Sequence, residues 1–487
     1  METKNTVRPF GWRDKVAYAL GDFGCNMSFS LKGTVQTFWL VFMAMETGLL
    51  SALLLLVQIW DAVNDPIIGS MIDADRRIYK HGKFKTYIFI GACGLLVAGA
   101  LVFIPAPNAD VWIKAMLFIV GYVIWDACYT TANVPYGSML SLVTEDAAER
   151  AQLSTWRSIG SMFGNMAPMM LLPMLIWKKV VDENGNPVIN EETGVQVETL
   201  MGERVFLAAL IMGVLGFIAF IVMLKTITIR VDENTVKTND NEKFNVLKAF
   251  KNFLNNRAAM GATIGAMAMF IGMQSASTAT TIMFATYFGQ AQLSGIVQLI
   301  GFLPMFIFIP FIKKLVNKYG KKEAAAYGAF ASMLGSIVMF IFPLIPNKGI
   351  ALGVYMISLS IFGLGMGIYT CVSWAFMADA IDYNEWKTGK REEGTVYSLH
   401  SFFRKLAQGI GPSIVLLVMG ALGYVSELGT EGQSLQTATN MCWLVAGLYC
   451  FSGIVMWVAI KYIYNLDKAT LEQMNKELAE RRAANNA

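Results

Sequence analysis

The segment Ile59-Trp60-Asp61-Ala62-Val63-Asn64-Asp65-Pro66 sets two carboxylates and an amide in an otherwise apolar stretch. Asp61 and Asp65 stand four apart, so a helix puts both on one face, with Asn64 beside them. Pro66 donates no amide hydrogen and so frees the carbonyl of Ala62. Two carboxylates, an amide and a loose carbonyl make a hard-oxygen cage for a small cation. Left empty, the two acids repel one another, and a proton can take the cation's place. The bland reading is a salt bridge to a basic residue on another helix.

A second constellation lies at 125–137, where Asp126, Thr130, Asn133 and Gly137 follow at spacings of four, three and four. That is one helical stripe, with Trp125, Tyr129 and Tyr136 close beside it. A polar stripe flanked by aromatics offers hydrogen bonds for hydroxyls and rings to stack on pyranose faces. Thr130 can lend its hydroxyl to the cation cage; such residues also serve simply to hydrogen-bond one helix to another. Asp22 and Asn26, again four apart, occupy an earlier segment with Lys32 and Gln36 further out. Counting 100° per residue, Lys32 lies roughly 80° round from Asp22, at the margin of that face. It can pair with an acid, touch an anionic substrate or snorkel outward. Arg157 and Asn165 follow, then His400, Ser401, Lys405 and Gln408, the last three on one face. Arg157 and Lys405 are available as counter-charges to the acids. From Gln274 to Thr281 the chain is rich in Ser and Thr, Ser373-Trp374 adds a polar–aromatic pair, and no comparable buried carboxylate is expected in the second half. The cation is therefore expected on the first half and the substrate between halves.

These residues need membrane helices to hold them. The 487-residue chain is 55% hydrophobic and 15% charged, with mean hydropathy +0.48. A soluble domain carries about 25% charged residues, and one aqueous core could not hide so much apolar surface. Segments long enough to cross the hydrocarbon fall near 16–45, 49–72, 86–105, 112–142, 152–177, 204–228, 258–288, 292–312, 323–345, 349–378, 395–423 and 438–463. Ionisable side chains inside such spans are costly and mark functional sites. Most of the 39 Lys and Arg residues lie in alternate connections and at both ends, which places both termini in the cytoplasm of an inner-membrane, multi-pass protein. No cleavable leader is expected, because the first apolar stretch outruns a signal peptide. The six cysteines lie in apolar segments without metal-ligand spacing and read as packing residues.

The expected organisation is all-α: a six-helix bundle over 1–228 with the cation site, a linker at 229–257, a second six-helix bundle over 258–463 and a tail at 464–487. Asn245–Leu254 reads as an amphipathic helix along the membrane surface, and the outer loop 178–203 as a solvated turn or hairpin. The halves echo one another: DADRRIYKHGKFK after the second span matches KKLVNKYGKKEA after the eighth. A two-fold repeat with a midplane site is a transporter pattern.

Together these residues carry a resemblance. IWDAVNDPIIG with its basic turn to GKFK, YALGDFGCNMSF, YVIWDACYTTANVPYGSM, MADAIDYNEWKTGKREEG and FFRKLAQGIG resemble the glycoside–pentoside–hexuronide:cation symporters of the major facilitator superfamily along nearly the whole chain. The resemblance implies the major facilitator fold and sodium ligands at Asp61, Asn64, Asp65 and Thr130. It implies sugar contacts at Asn26, Tyr129, Asn133 and Arg157, with Lys405 as the family's helix-11 lysine. Asp22, Lys32, Asp126, Trp374 and Ser401 complete the candidate substrate set. The family's melibiose-transporting branch has aspartates at the positions of Asn26 and Asn133, a lysine at Cys25 and a tryptophan at Gly137. Melibiose is therefore not the expected substrate, the glycine widens the pocket, and Lys32 admits an acidic sugar beside the neutral glycoside expected first. The partners implied are a small sugar, a monovalent cation (Na+ or H+) and the bilayer, with no other cofactor, no nucleic acid and a monomeric state. With two histidines, His81 and His400, and no nucleotide or metal motif, a membrane-embedded transferase is disfavoured. A lipid transporter of the same architecture and a non-translocating sugar sensor stand as rival readings.

Overall fold

The computed structural model describes residues 8–75, 77–144, 146–231, 246–389 and 393–485. The chain divides into two compact units, one of Met1–Val188, Gln196–Asn241 and Val425–Gly432, the other of Ile189–Val195, Glu242–Tyr424 and Gln433–Ala487. The first contains α1 (Trp12–Phe29), α2 (Lys32–Thr37), α3 (Thr47–Ala74), α4 (Lys83–Leu101), α5 (Val111–Ser138), α6 (Leu140–Val143), α7 (Ala147–Ile176) and α8 (Gly202–Thr226). The second contains α9 (Val246–Asn255), α10 (Arg257–Met283), α11 (Ser294–Tyr319), α12 (Lys321–Met339), α13 (Lys348–Thr388), α14 (Glu393–Ala421), α15 (Leu435–Val458) and α16 (Lys468–Asn485).

Among the described residues, eleven helices are long and apolar enough to cross a membrane. The remaining expected crossing, the first along the chain, is charged at its start and locally distorted, with helical dihedrals kept through Ser30 and Leu31. The α1 helix carries Arg13, Asp14, Lys15 and Asp22, turns at Ser30–Leu31, and resumes as α2 with a π-helical turn at Phe38–Phe42. A matching π-helical turn, Phe284–Phe288, closes α10, the first long helix of the second unit. The exposed faces of the helices are apolar. On α3, Leu56, Ile59, Val63 and Ile67 form an exposed stripe at spacings of three and four, the period of one helix face. Asn64, on the flank of this stripe, is buried.

Small residues set the helix contacts that matter for the site. On α7, Gly160 lies against the carbonyl of Ala19, and a Cβ on Gly164 would stand 2.7 Å from Asn26 Cβ and 3.0 Å from Phe23 O. This small-xxx-small pattern lets α1 and α7 approach closely. Pro66 in α3, Pro135 in α5 and Pro168 and Pro173 in α7 all lie within continuous helices. The loop after α7 begins as an antiparallel hairpin pairing Trp177–Lys179 with Glu198–Leu200, with Trp177 buried.

One sequence expectation changes. The second unit does hold a buried carboxylate: Asp379 is 6% exposed and takes Lys321 Nζ at 2.7 and 2.9 Å and Tyr464 Oη at 3.4 Å. The reason is length, since α13 runs 41 residues to Thr388 instead of ending near 378. Asp14, fully buried in the first turn of α1, pairs with Arg8 at 2.6 Å and Arg230 at 2.8 Å. The amphipathic helix also packs on protein: Phe253 is buried and stacks on Phe403 of α14 with ring centroids 5.9 Å apart. Residues 232–245 of the expected linker lie outside the described residues.

Candidate binding site in the first unit

The candidate residues of the first unit fall into two groups, bridged by α5. In the first group, Asn64 on α3 donates through Nδ2 to Asp126 Oδ2 at 3.0 Å and to Thr130 Oγ1 at 3.0 Å. Thr130 in turn donates to Asp65 Oδ1 at 2.8 Å. Asp65, Thr130, Asn64 and Asp126 thus form one continuous chain of hydrogen bonds across the α3–α5 contact. Asn64, Thr130 and Asp126 are each no more than 2% exposed. Lys32, the first residue of α2, places Nζ 3.3 Å from Asp61 Oδ2. Its ammonium also lies over the rings of Phe29 and Tyr122, at 5.2 and 5.8 Å. Lys32 therefore pairs with the helix-α3 acid, not with Asp22.

The second group joins α1 and α7. Arg157 Nε donates to Asp22 Oδ1 at 3.0 Å. Asn26 donates to Asp22 Oδ2 at 3.1 Å and to the Asp22 carbonyl at 2.8 Å, and Asn165 donates to Asn26 Oδ1 at 2.7 Å. The guanidinium lies over the Tyr136 ring at 5.2 Å, and that ring stacks on Tyr18 with centroids 4.8 Å apart. Gly137 is open on this side: a Cβ there would stand 3.9 Å from Arg157 Nη1. Arg157 is thus the counter-charge of Asp22, not of the α3 acids.

Tyr129 and Asn133 lie on α5 one helical turn apart, half-buried. Neither side chain hydrogen-bonds to any described residue, although Tyr129 meets the Phe29 ring at 6.0 Å. Of the remaining candidates, Ser401 and Lys405 are half-buried on α14 of the second unit. Trp374 belongs to α13 and its side chain lies outside the described residues. His400 is structural: buried, its Nδ1 sits 2.9 Å from Thr263 Oγ1. Among the described residues no three His, Cys, Asp or Glu side chains gather as metal ligands. The side chains gathered at α3–α5 are instead carboxylates, an amide and a hydroxyl, the oxygen-bearing groups that hard cations take.

Two residues escaped the sequence reading. Gln58 donates to Tyr122 Oη at 3.1 Å, and Tyr122 roofs Lys32. Both extend named stripes by one helical turn, Gln58 three before Asp61 and Tyr122 four before Asp126, so the spacing rule that found the stripes would have reached them.

Comparison with known proteins agrees with this architecture. The family model described as MFS/sugar transport protein matches residues 17–468. An uncharacterised symporter of Bacillus subtilis is 29% identical over 96% of this chain and 95% of its own. A glucuronide carrier protein homologue of Escherichia coli is 24% identical, covering 92% of each chain. The isoprimeverose transporter of Lactiplantibacillus pentosus is 28% identical over 98% of this chain and 93% of its own. Among solved structures, the inward-open xylose transporter of E. coli matches 95% of this chain and 98% of its own, with TM-score 0.57 at 13% identity. The chain belongs to the sugar-transport family of the major facilitator superfamily, and it is a multi-pass membrane transporter, not an enzyme.

Proposed function

We propose that this protein is a cation-coupled symporter that imports a glycoside, pentoside or hexuronide across the inner membrane by alternating access. The observation that carries the reading is the buried chain Asp65–Thr130–Asn64–Asp126 on the same stretch of α5 as Tyr129 and Asn133. A sodium ion or proton at Asp61, Asn64, Asp65 and Thr130 relieves the repulsion between the α3 carboxylates. Thr130 is adjacent to Tyr129 and one turn from Asn133, so a cation that orders α5 also orders two sugar contacts. Coupling then follows as a differential affinity of each ligand for the state the other favours. Asn26, Tyr129, Asn133 and Arg157 are the proposed sugar contacts.

Charge favours a neutral substrate. Lys32 and Arg157, the cations in these two groups, are each engaged by a carboxylate, Asp61 and Asp22. An anionic sugar would have to compete with an internal partner already in place. The excess of Lys and Arg at both ends and in alternate connections supports cytoplasmic termini.

Sodium-stimulated sugar uptake into proteoliposomes tests the cation half of this reading. Asp65→Asn should abolish the stimulation while the purified protein remains folded. Full stimulation in Asp65→Asn would remove α3 from the coupling mechanism.

A further inference from the structure

We infer that Asp126 is a charged ligand of the coupling cation alongside Asp65, and that Lys32 is an internal cation neutralising Asp61. This rests on the reading of α3–α5 as a cation site and goes beyond it, because it reassigns which acids hold the ion.

The first observation is an orphaned oxygen. Asp126 is 2% exposed; its Oδ2 accepts from Asn64, whereas its Oδ1 has no hydrogen-bond partner. A carboxylate oxygen buried without a partner costs free energy that a bound cation offsets. The α1–α7 group is closed on itself, Asp22, Asn26, Arg157 and Asn165 bonding to one another. The neighbours of Asp126 are Asn64, the Asp61 carboxylate and, as a charge that does not hydrogen-bond to it, the Lys32 ammonium already paired with Asp61. The connected set Asp126, Asn64, Thr130 and Asp65 supplies two carboxylates, a hydroxyl and, once the Asn64 amide turns its oxygen inward, a carbonyl. That is an all-oxygen set of the kind a hard cation takes.

The second observation is independent and concerns charge. Lys32 Nζ lies 3.3 Å from Asp61 Oδ2, with Tyr122, Tyr129 and Asp126 as the other polar groups around the ammonium. With Asp61, Asp65 and Asp126 ionised and Lys32 protonated, the cluster carries a net charge of −2. Two α3 carboxylates alone would carry the same. Lys32 with those two acids and no third would leave only −1, a weak site for a cation that must first shed its water. Asp126 and Lys32 thus compensate one another: the lysine occupies Asp61, and the additional acid restores the charge the ion needs.

The test is sodium binding to the purified full-length transporter, titrated with NaCl from choline buffer and followed by calorimetry. The variants are Asp65→Asn, Asp126→Asn, Lys32→Gln and the double variant Lys32→Gln/Asp126→Asn. Asp126→Asn should lose at least the roughly 10–100-fold in affinity that even an outer-shell partner is worth to a metal site. The double variant, returned to −2 with Asp61 released, should bind within a few-fold of wild type. Lys32→Gln alone, at −3, should bind sodium more tightly. Wild-type sodium affinity in Asp126→Asn, or a double variant no better than Asp126→Asn, overturns the inference. Should Asp126→Asn fail to fold, weakened sodium binding in Lys32→Gln overturns it equally. Asp65→Asn separates the two levels: if it too binds sodium normally, the cation site as a whole is misplaced. If it loses binding while Asp126→Asn keeps it, only the role given to Asp126 and Lys32 falls.

Discussion

Gly164→Ala is the sharpest steric test of the sugar side. The added Cβ would stand 2.7 Å from Asn26 Cβ, 3.0 Å from Phe23 O and 3.3 Å from Phe23 Cα. Carbon atoms settle at about 3.5–4.0 Å, so α1 and α7 must part by about 1 Å, and two of the three obstacles are backbone that cannot swing aside. The Asn165–Asn26 hydrogen bond, 2.7 Å at present, then stretches to about 3.7 Å, beyond hydrogen-bonding range. The Arg157–Asp22 contact, now 3.0 Å, weakens in the same way. Overpacking of this kind costs about 1–3 kcal/mol of stability. One neutral hydrogen bond is worth about 1 kcal/mol and a charged one about 1.5–3, the latter discounted because the Arg157 side chain is 38% exposed. Sugar affinity should therefore fall about tenfold, the equivalent of 1.4 kcal/mol. The cation groups on α3 and α5 do not touch Gly164, so sodium affinity should be unchanged. Gly447→Ala on α15 is the matched control, since a Cβ there meets nothing within 4 Å and the residue belongs to neither group. The assay is thermal stabilisation of the purified protein by sugar, chosen from a screened panel, and by NaCl. Wild-type sugar affinity in Gly164→Ala, or an equal loss of sodium affinity, would refute the separation of the two sites.

Three further outcomes follow from the geometry. Asn133→Ala should weaken sugar binding and leave sodium binding measurable; unchanged sugar affinity would make the α5 stripe a packing feature. Lys321→Gln strips Asp379 of its ammonium and leaves it the longer 3.4 Å bond from Tyr464, so denaturation should show a loss on the order of 1–3 kcal/mol. At the end of α3, hydrogen bonds from Tyr79, the Arg77 amide and Tyr87 hold the Asp75 carboxyl down at about 2. A depressed pKa contributes stability that is complete above the unfolded value near 3.9 and lost as pH falls towards 2. The difference in Tm between wild type and Asp75→Asn should accordingly stay constant from about pH 5 to 8. A difference that shrinks at pH 5 would mean that Asp75 titrates where it is held to be fully ionised.

Spacing along each helix was legible in the sequence; the partner of each charged side chain was not. Asp61, Asn64 and Asp65 all lie on continuous α3, and Asp126, Thr130 and Asn133 on continuous α5, so faces counted at 100° per residue hold. Lys32 lies beyond the Ser30–Leu31 turn that ends α1. The backbone of that turn stays helical, so Lys32 remains at the margin of the Asp22 face, and of the alternatives open to it the ammonium takes an acid, Asp61. Asp379 was missed because span length was set by the bilayer. A 41-residue helix is about 60 Å long at 1.5 Å per residue, twice the hydrocarbon thickness, and its final turns bury side chains against protein. Which partner each buried acid would choose was not legible at all. Arg157 and Lys32 were both candidates for either acid group, and only the close approach of α7 to α1 at Gly160 and Gly164 assigns Arg157 to Asp22.

Coupled accumulation is the most direct test of the central claim. The protein is reconstituted into proteoliposomes and presented with labelled neutral glycosides, pentosides and hexuronides, under an inward sodium gradient, an inward proton gradient, or neither. The account predicts that at least one neutral sugar accumulates above its external concentration only while one of the gradients is imposed, and leaks back when an ionophore collapses it. Uptake that reaches the same internal concentration with and without both gradients, for every sugar transported, would contradict it.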